Sequence, residues 1–140
     1  MATFGSELVA GIILAELATI NDVTDAVGTR MHGTTFVPQG GTLPALLTYA
    51  ENSVYPEPSL FNSLDFEQLR VVVRLICQGT STTPILDAAL AQREALHGFV
   101  IEQDGYHVTF VASGAVPLTT LQDGGVVYRQ LGTVYSVEIT

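Results

Sequence analysis

The chain has 140 residues, of which 47% are hydrophobic and 14% charged, and 14 acidic against five basic residues give it a formal net charge of −9. A chain of this size and hydropathy builds one globular domain with a real core, and the composition excludes intrinsic disorder. Its basic residues are Arg30, Arg70, Arg74, Arg93 and Arg129, with no lysine. That balance argues against gripping nucleic acid, which needs a basic patch, while an acidic wall lets a duplex pass without holding it.

The lone Cys77 has no partner for an intrachain disulfide and suits a reducing cytoplasm. The longest apolar run, Leu8 to Ala15, ends at Glu16, short of the ~20 residues a membrane-spanning helix needs. No basic residue precedes that run, as a secretory signal would require. Neither a membrane span nor a targeting segment is expected.

In chain order, Ser6 to Ile20 places Leu8, Val9, Ile12, Ile13, Leu17 and Ile20 on one broad helical face, with Ser6 as N-cap. Asn21 and Asp22 offer a second cap for a single helical turn closed by Gly28. Met31 to Thr42 reads as a loop, Leu43 to Ala50 as a strand, and Asn52 to Asn62, with Pro56 and Pro58, as another loop. Phe66 to Gln78 is the clearest strand: Leu69, Val71, Val73, Leu75 and Cys77 alternate with Gln68, Arg70, Arg74 and Gln78. Its second face keeps Val72 and Ile76 between the arginines, so it is either solvated or meets a neighbouring subunit.

Thr83 as N-cap and Pro84 at the first helical position open a helix whose stripe is Ile85, Leu86, Ala89, Leu90 and Leu96, ended by Gly98. Phe99 to Gln103 and Tyr106 to Ala112 flank Asp104-Gly105, a signal for a two-residue type I′ hairpin. After a loop holding Pro117 and Gly124-Gly125, Val126 to Ile139 reads as a last long strand, with Gly132 a candidate bulge. Two helices and about five strands with hairpin links predict a single α+β domain, an antiparallel or mixed sheet of four to five strands with the helices packed on one face.

Reactive constellations are sparse. His32, His97 and His107 stand at no metal-ligand spacing, and His97 in a last helical turn suits the C-terminal dipole. Cys77 on an apolar strand face reads as a small buried hydrophobe. There is no Gly-x-Ser-x-Gly elbow and no phosphate loop, which needs a lysine. The acidic groupings Glu7 with Glu16, Asp22 with Asp25, and Glu102 with Asp104 read as solvated helix ends and turns rather than acid/base pairs. No enzyme activity, metal or cofactor is expected.

Val27-Gly28-Thr29-Arg30, followed by Val37-Pro38-Gln39-Gly40-Gly41-Thr42-Leu43-Pro44 and later by Arg70-Val71-Val72-Val73, resembles the tail terminator (tail-completion) family of long-tailed phages and gene-transfer particles. The order matches over nearly the whole chain: an N-terminal helix, a V-G-x-R turn, a V-P-x-G stretch opening the first strand, an R-V-x-V strand, a helix and closing strands. Met31-His32 departs from the apolar and aromatic pair usual after the arginine. The resemblance implies a virion protein of the tail neck, assembled in the host cytoplasm. It would form a hexameric ring that stacks on the tail tube protein, stops its polymerisation and presents a surface to the head-tail connector or stopper protein. DNA would pass through the lumen without specific binding.

A closed ring needs two different complementary patches on one subunit. On this reading Arg70 and Arg74 form intersubunit ion pairs with Val72 and Ile76 between them, or they merely solvate an exposed sheet face. The loop residues Met31, His32, Val37 and Gln39, and Tyr55 and Glu57, are the candidate contacts to tube or connector. The alternatives are another head-tail neck protein, a small ligand-binding α+β domain, and an enzyme using the acidic residues.

Overall fold

The computed structural model describes residues 4–37, 41–54, 67–116 and 120–140. In chain order the elements are α1 (Phe4–Leu17), α2 (Asn21–Val27), β1 (Met31–His32), β2 (Ala45–Val54), β3 (Glu67–Gln78), α3 (Thr83–Leu96), β4 (Val100–Gln103), β5 (Tyr106–Val116), β6 (Thr120–Asp123) and β7 (Val126–Ile139). The fold is α+β: three helices and a mixed sheet of six strands, strongly curled into a half-barrel, in the order β1-β2-β3-β7-β5-β4. The seventh strand, β6, continues along the edge of β7 that β5 occupies, because β3 takes the other edge from Tyr128 to Ile139. The β1–β2 pair is parallel and the other pairs described are antiparallel.

The sheet is thus larger than the expected four to five strands, and the helices number three. The region expected to be a loop from Met31 begins with β1, whose two residues pair with Leu46 and Leu47. The second helix runs two turns rather than one. A strand was missed at β6 because Gly124-Gly125 read as part of a long loop. Both glycines have positive φ, 59° and 84°, and they close a two-residue hairpin as Asp104 and Gly105 do at φ 54° and 81°. That first hairpin and the bounds of β7 are as expected.

Alternation along β3 decides the layers. Leu69, Val71, Val73, Leu75 and Cys77 join Leu46 of β2, Val108 and Phe110 of β5, and Tyr135, Val137 and Ile139 of β7 in one buried cluster. The helices close it with Leu8, Val9, Ile12, Ile13 and Leu17, then Val23 and Val27, then Ile85, Ala88 and Leu96. Each of the larger side chains contributes roughly 1.5–3 kcal/mol by leaving water.

The α3 stripe is phased differently from the expectation. Leu86 and Leu90 are exposed, at 44% and 60%, and Gln92 is fully buried instead. A buried amide is tolerable only when bonded. Gln92 Nε2 donates to Thr133 Oγ1 at 2.8 Å and to the Ala89 carbonyl at 2.9 Å, and the Tyr135 hydroxyl donates to Gln92 Oε1. Burial pushes the Tyr135 phenol far above its ordinary range, against smaller opposing effects from the Thr133 bond and the Arg93 charge.

Capping also differs. Thr82 precedes α3, with no capping bond from its own side chain, and Ser81 Oγ accepts from the Thr83 amide at 3.2 Å. Helix α1 starts at Phe4, ahead of the expected Ser6 cap.

Two β-bulges shape the curl. Register slips between Ala50 and Asn52 of β2 and between Ala112 and Gly114 of β5, leaving Glu51 and Ser113 as extra residues. Both flank the same transverse row, Ala50–Val71–Tyr135–Ala112, so the twist each bulge adds bends the sheet along one line. Gly132 is not a bulge: its pairing with Arg74 is in register. A Cβ there would stand 2.1 Å from the Val73 carbonyl oxygen and 2.9 Å from Arg74 Cα, so the backbones approach as only glycine permits.

Candidate functional site: the helix-free face of the sheet

Residues alternating with the core set point away from the helices. One row runs Tyr49–Val72–Val134–Gly114 across β2, β3, β7 and β5, and the next holds Arg70, Ser136 and Val111. At the centre Val72, Ile76 and Val134 are buried although no helix is described over them. Arg74, placed between Val72 and Ile76 on this side of β3, reaches across the face.

Arg74 lies along the sheet. Its Nη2 donates to the Thr35 carbonyl at 2.9 Å, its Nη1 donates to Gln130 Oε1 at 3.3 Å, and its guanidinium carbon stands 5.8 Å from the Tyr49 ring centroid. The Nε is buried with no partner among the described residues. Arg74 therefore fastens the segment after β1 onto the sheet.

Arg70 is different. Its Nε meets Glu51 Oε2 at 2.9 Å, with the two side chains 57% and 45% exposed. The bulge delivers that carboxylate to this face, and so exposed a pair is worth under about 1 kcal/mol. Of the two arginines expected to reach another subunit, Arg74 is committed within its own chain and Arg70 stays available.

Beside Arg70 opens a cleft of about 430 Å³ over β3, β7 and β5. Gln68 and Arg70 form one wall, Ser113, Gly114 and Ala115 the other, and Val134 and Ser136 the floor. Gln68 Nε2 donates to Ser136 Oγ at 3.0 Å, and Ser113 Oγ donates to the Val134 carbonyl at 3.3 Å. No histidine, cysteine or carboxylate is among the described lining residues, so the groups present bind and orient rather than react. Val111 (46% exposed) and Val100 continue the face past the cleft as uncovered apolar surface.

The remaining sequence candidates are scattered. Met31, His32 and Val37 are half-buried, the first two within β1, while Gln39, Tyr55 and Glu57 lie outside the described residues. The exposed apolar group of that loop is Phe36, which sequence reading passed over. His97 stands at the C-terminal end of α3, and its Nδ1 accepts from the Ala112 amide at 3.0 Å. His107 faces Glu102 across the hairpin at 3.5 Å. Cys77 is buried with Sγ 3.3 Å from the Ser81 carbonyl, and burial raises its thiol pKa with Arg129 opposing.

Asp22 and Asp25 meet Asp87 along a groove of about 230 Å³ between α2 and α3. Among the described residues no group of three or more histidine, cysteine or acidic side chains is placed to hold a metal, and no helix is long and apolar enough to cross a membrane.

Arg30 and Gly28, prominent in the sequence motif, have local structural work. Gly28 caps α2 at φ 58°, donating its amide to the Thr24 carbonyl. Arg30 Nε donates to the Pro44 carbonyl at 2.8 Å and Nη2 to the Ala26 carbonyl at 3.4 Å, which ties the end of α2 to the start of β2. Glu51, Ser113 and Ser136 are not legible as site residues in the sequence, because bulges and cross-strand register bring them to Gln68 and Arg70. The small pair Ser113-Gly114 interrupting an apolar strand was the visible signal. Compared with known proteins, the chain matches no family model and no curated sequence.

Proposed function

We propose that the chain is a structural protein of the tail terminator type, acting through its outer surfaces in a hexameric ring that caps a phage tail tube and joins it to the head connector. The observation that carries this reading is the helix-free sheet face: a half-apolar surface with one available arginine, no reactive group among the described residues of its cleft and uncovered valines at its rim. Such a mixture of apolar centre and polar rim suits protein contact better than catalysis. The sequence cues support it independently, since the V-G-x-R turn and the proline opening β2 are bound to each other through Arg30. The charge of −9 suits a lumen through which DNA slides.

The test is to titrate the purified protein into polymerising tail-tube protein of the same particle. Tubes that stop growing, each with a sixfold ring at one end, are the expected result. Tubes that grow at the same rate and to the same lengths contradict the proposal. A second reading, a small ligand-binding domain, is favoured by the cleft volume, which lies in the range of ligand pockets; specific saturable binding to a strict monomer would select it.

A further inference from the structure

We infer that the cleft over β7 is the seat of helix α3 from a second copy of this chain, with Arg70 meeting Asp87, in a head-to-tail contact. The inference deepens the ring reading above, and rests on it, by naming the two surfaces that join.

The groove has the dimensions of a helix. Three neighbouring strands span roughly 10 Å between the outer two, and an α-helix with its side chains is about 10 Å across. Small floor groups on β7 and Gly114 on β5 leave the depth, and Arg70 and Val111 stand at opposite edges of one row.

The outward side of α3 has the matching chemistry. Leu86 and Leu90, one turn apart, form an uncovered apolar ridge. Asp87 stands beside it, and Asp22 and Asp25 follow across the groove to α2. None of these three aspartates has an ion-pair partner among the described residues. At the far end Arg93 and Glu94 offset each other in charge. The apolar ridge fits Val134 and Val111, and the aspartates complement Arg70. Releasing Glu51 to make that exchange costs little, because the pair it leaves is exposed.

Geometry sets the symmetry. Helix α3 packs on the core face of β3, β7 and β5, so its outer side and the cleft lie on opposite sides of one subunit. A contact between two different patches is heterologous and generates a ring or filament, never a two-fold dimer. A contact of one helix in one groove is small beside a standard interface, so assembly depends on concentration.

The experiment is sedimentation velocity over a concentration series, backed by native mass spectrometry. The wild-type chain is compared with Arg70→Glu, Asp87→Arg and Leu90→Ser, and with an equimolar mixture of the two charge variants. All three positions are exposed, and circular dichroism checks that each variant folds. Each charge reversal is expected to raise the concentration of half-assembly at least about tenfold, or 1.4 kcal/mol, and Leu90→Ser to raise it less. The mixture recovers assembly, because the reversed sheet face of one variant meets the reversed helix of the other, and the remaining contacts are native.

Charge variants that assemble as wild type, a mixture no better than its components, a two-fold dimer, or a wild-type chain monomeric at about 1 mM overturn the inference. Rings that form regardless of the variants remove this contact and leave the tail reading standing. Variants that behave as expected with tube growth unaffected uphold the contact and remove the tail reading.

Discussion

The two faces of one sheet, built from the same strands, do opposite jobs. On the helix side Leu69, Val71, Val73, Leu75 and Cys77 of β3 are buried apolar surface, and the buried amide of Gln92 is bonded to Thr133 and Tyr135. On the other side the same strand alternates Arg70 and Arg74 with Val72 and Ile76, and Arg74 reaches across that face toward Tyr49 and Thr35 while Arg70 stays exposed. The first face encodes the fold and tolerates little change. The second has a buried centre at Val72, Ile76 and Val134 and exposed positions at Arg70 and Val111 that are free to serve contact, and substitutions at those exposed positions should leave stability nearly untouched.

Adjacent residues of β5 test that contrast most sharply. Phe110 is fully buried and packs on Phe99 with ring centroids 5.8 Å apart, and Phe110→Ala should lower the unfolding free energy by about 3–5 kcal/mol in urea titrations. A loss below about 1 kcal/mol would show that the helix side is not the core. Gly132→Ala should lose about 3 kcal/mol, since its Cβ would press on fixed backbone rather than a movable side chain; a neutral result would mean the strands separate at no cost and the curl is not imposed there.

Tyr135→Phe should lose about 1–3 kcal/mol by leaving Gln92 Oε1 without its donor. It also changes the alkaline limb. Burial raises the phenol pKa in the folded chain, so native protein holds this proton more tightly than the unfolded chain, whose tyrosine titrates near about 10. The stabilisation is complete below that pH and is lost as pH rises through it. The wild-type stability curve should therefore bend down above pH ~10 and the Tyr135→Phe curve should bend less. Parallel curves would count against burial as the cause.

On the helix-free side, Arg70→Ala should change stability by less than about 1 kcal/mol, and Val111→Ala, at the position next to Phe110, by less than about 0.5 kcal/mol. Larger losses at either position would mean that this face is a second core.

Much of the first face was legible in the sequence. Period-two alternation in β3, the apolar stripe of α1 and the Asp104-Gly105 turn are local signals that burial merely confirms. The phase of α3 was not legible, because an interior glutamine looks like a surface residue until its partners on β7 are known, and the stripe drawn through Leu86 and Leu90 hid the outward ridge. The second face was half legible: Arg70, Val72, Arg74 and Ile76 do share it, but the cleft needs Ser113 and Ser136 from strands far along the chain. Long-range register, not composition, assembles it. Strand β6 is hidden for a smaller reason: a glycine pair suits a loop as well as the two-residue turn it forms between β6 and β7.

The most direct test of a sheet divided between folding and association is hydroxyl-radical footprinting of side chains at dilute and at assembling concentration. The account predicts that Val111 on the sheet and Leu86 and Leu90 on α3, all labelled when dilute, lose labelling together as the protein assembles, while Phe36, which lines neither the cleft nor the α3 ridge, loses less. Assembly with Val111 and the two leucines labelled as fully as in the dilute chain would contradict it.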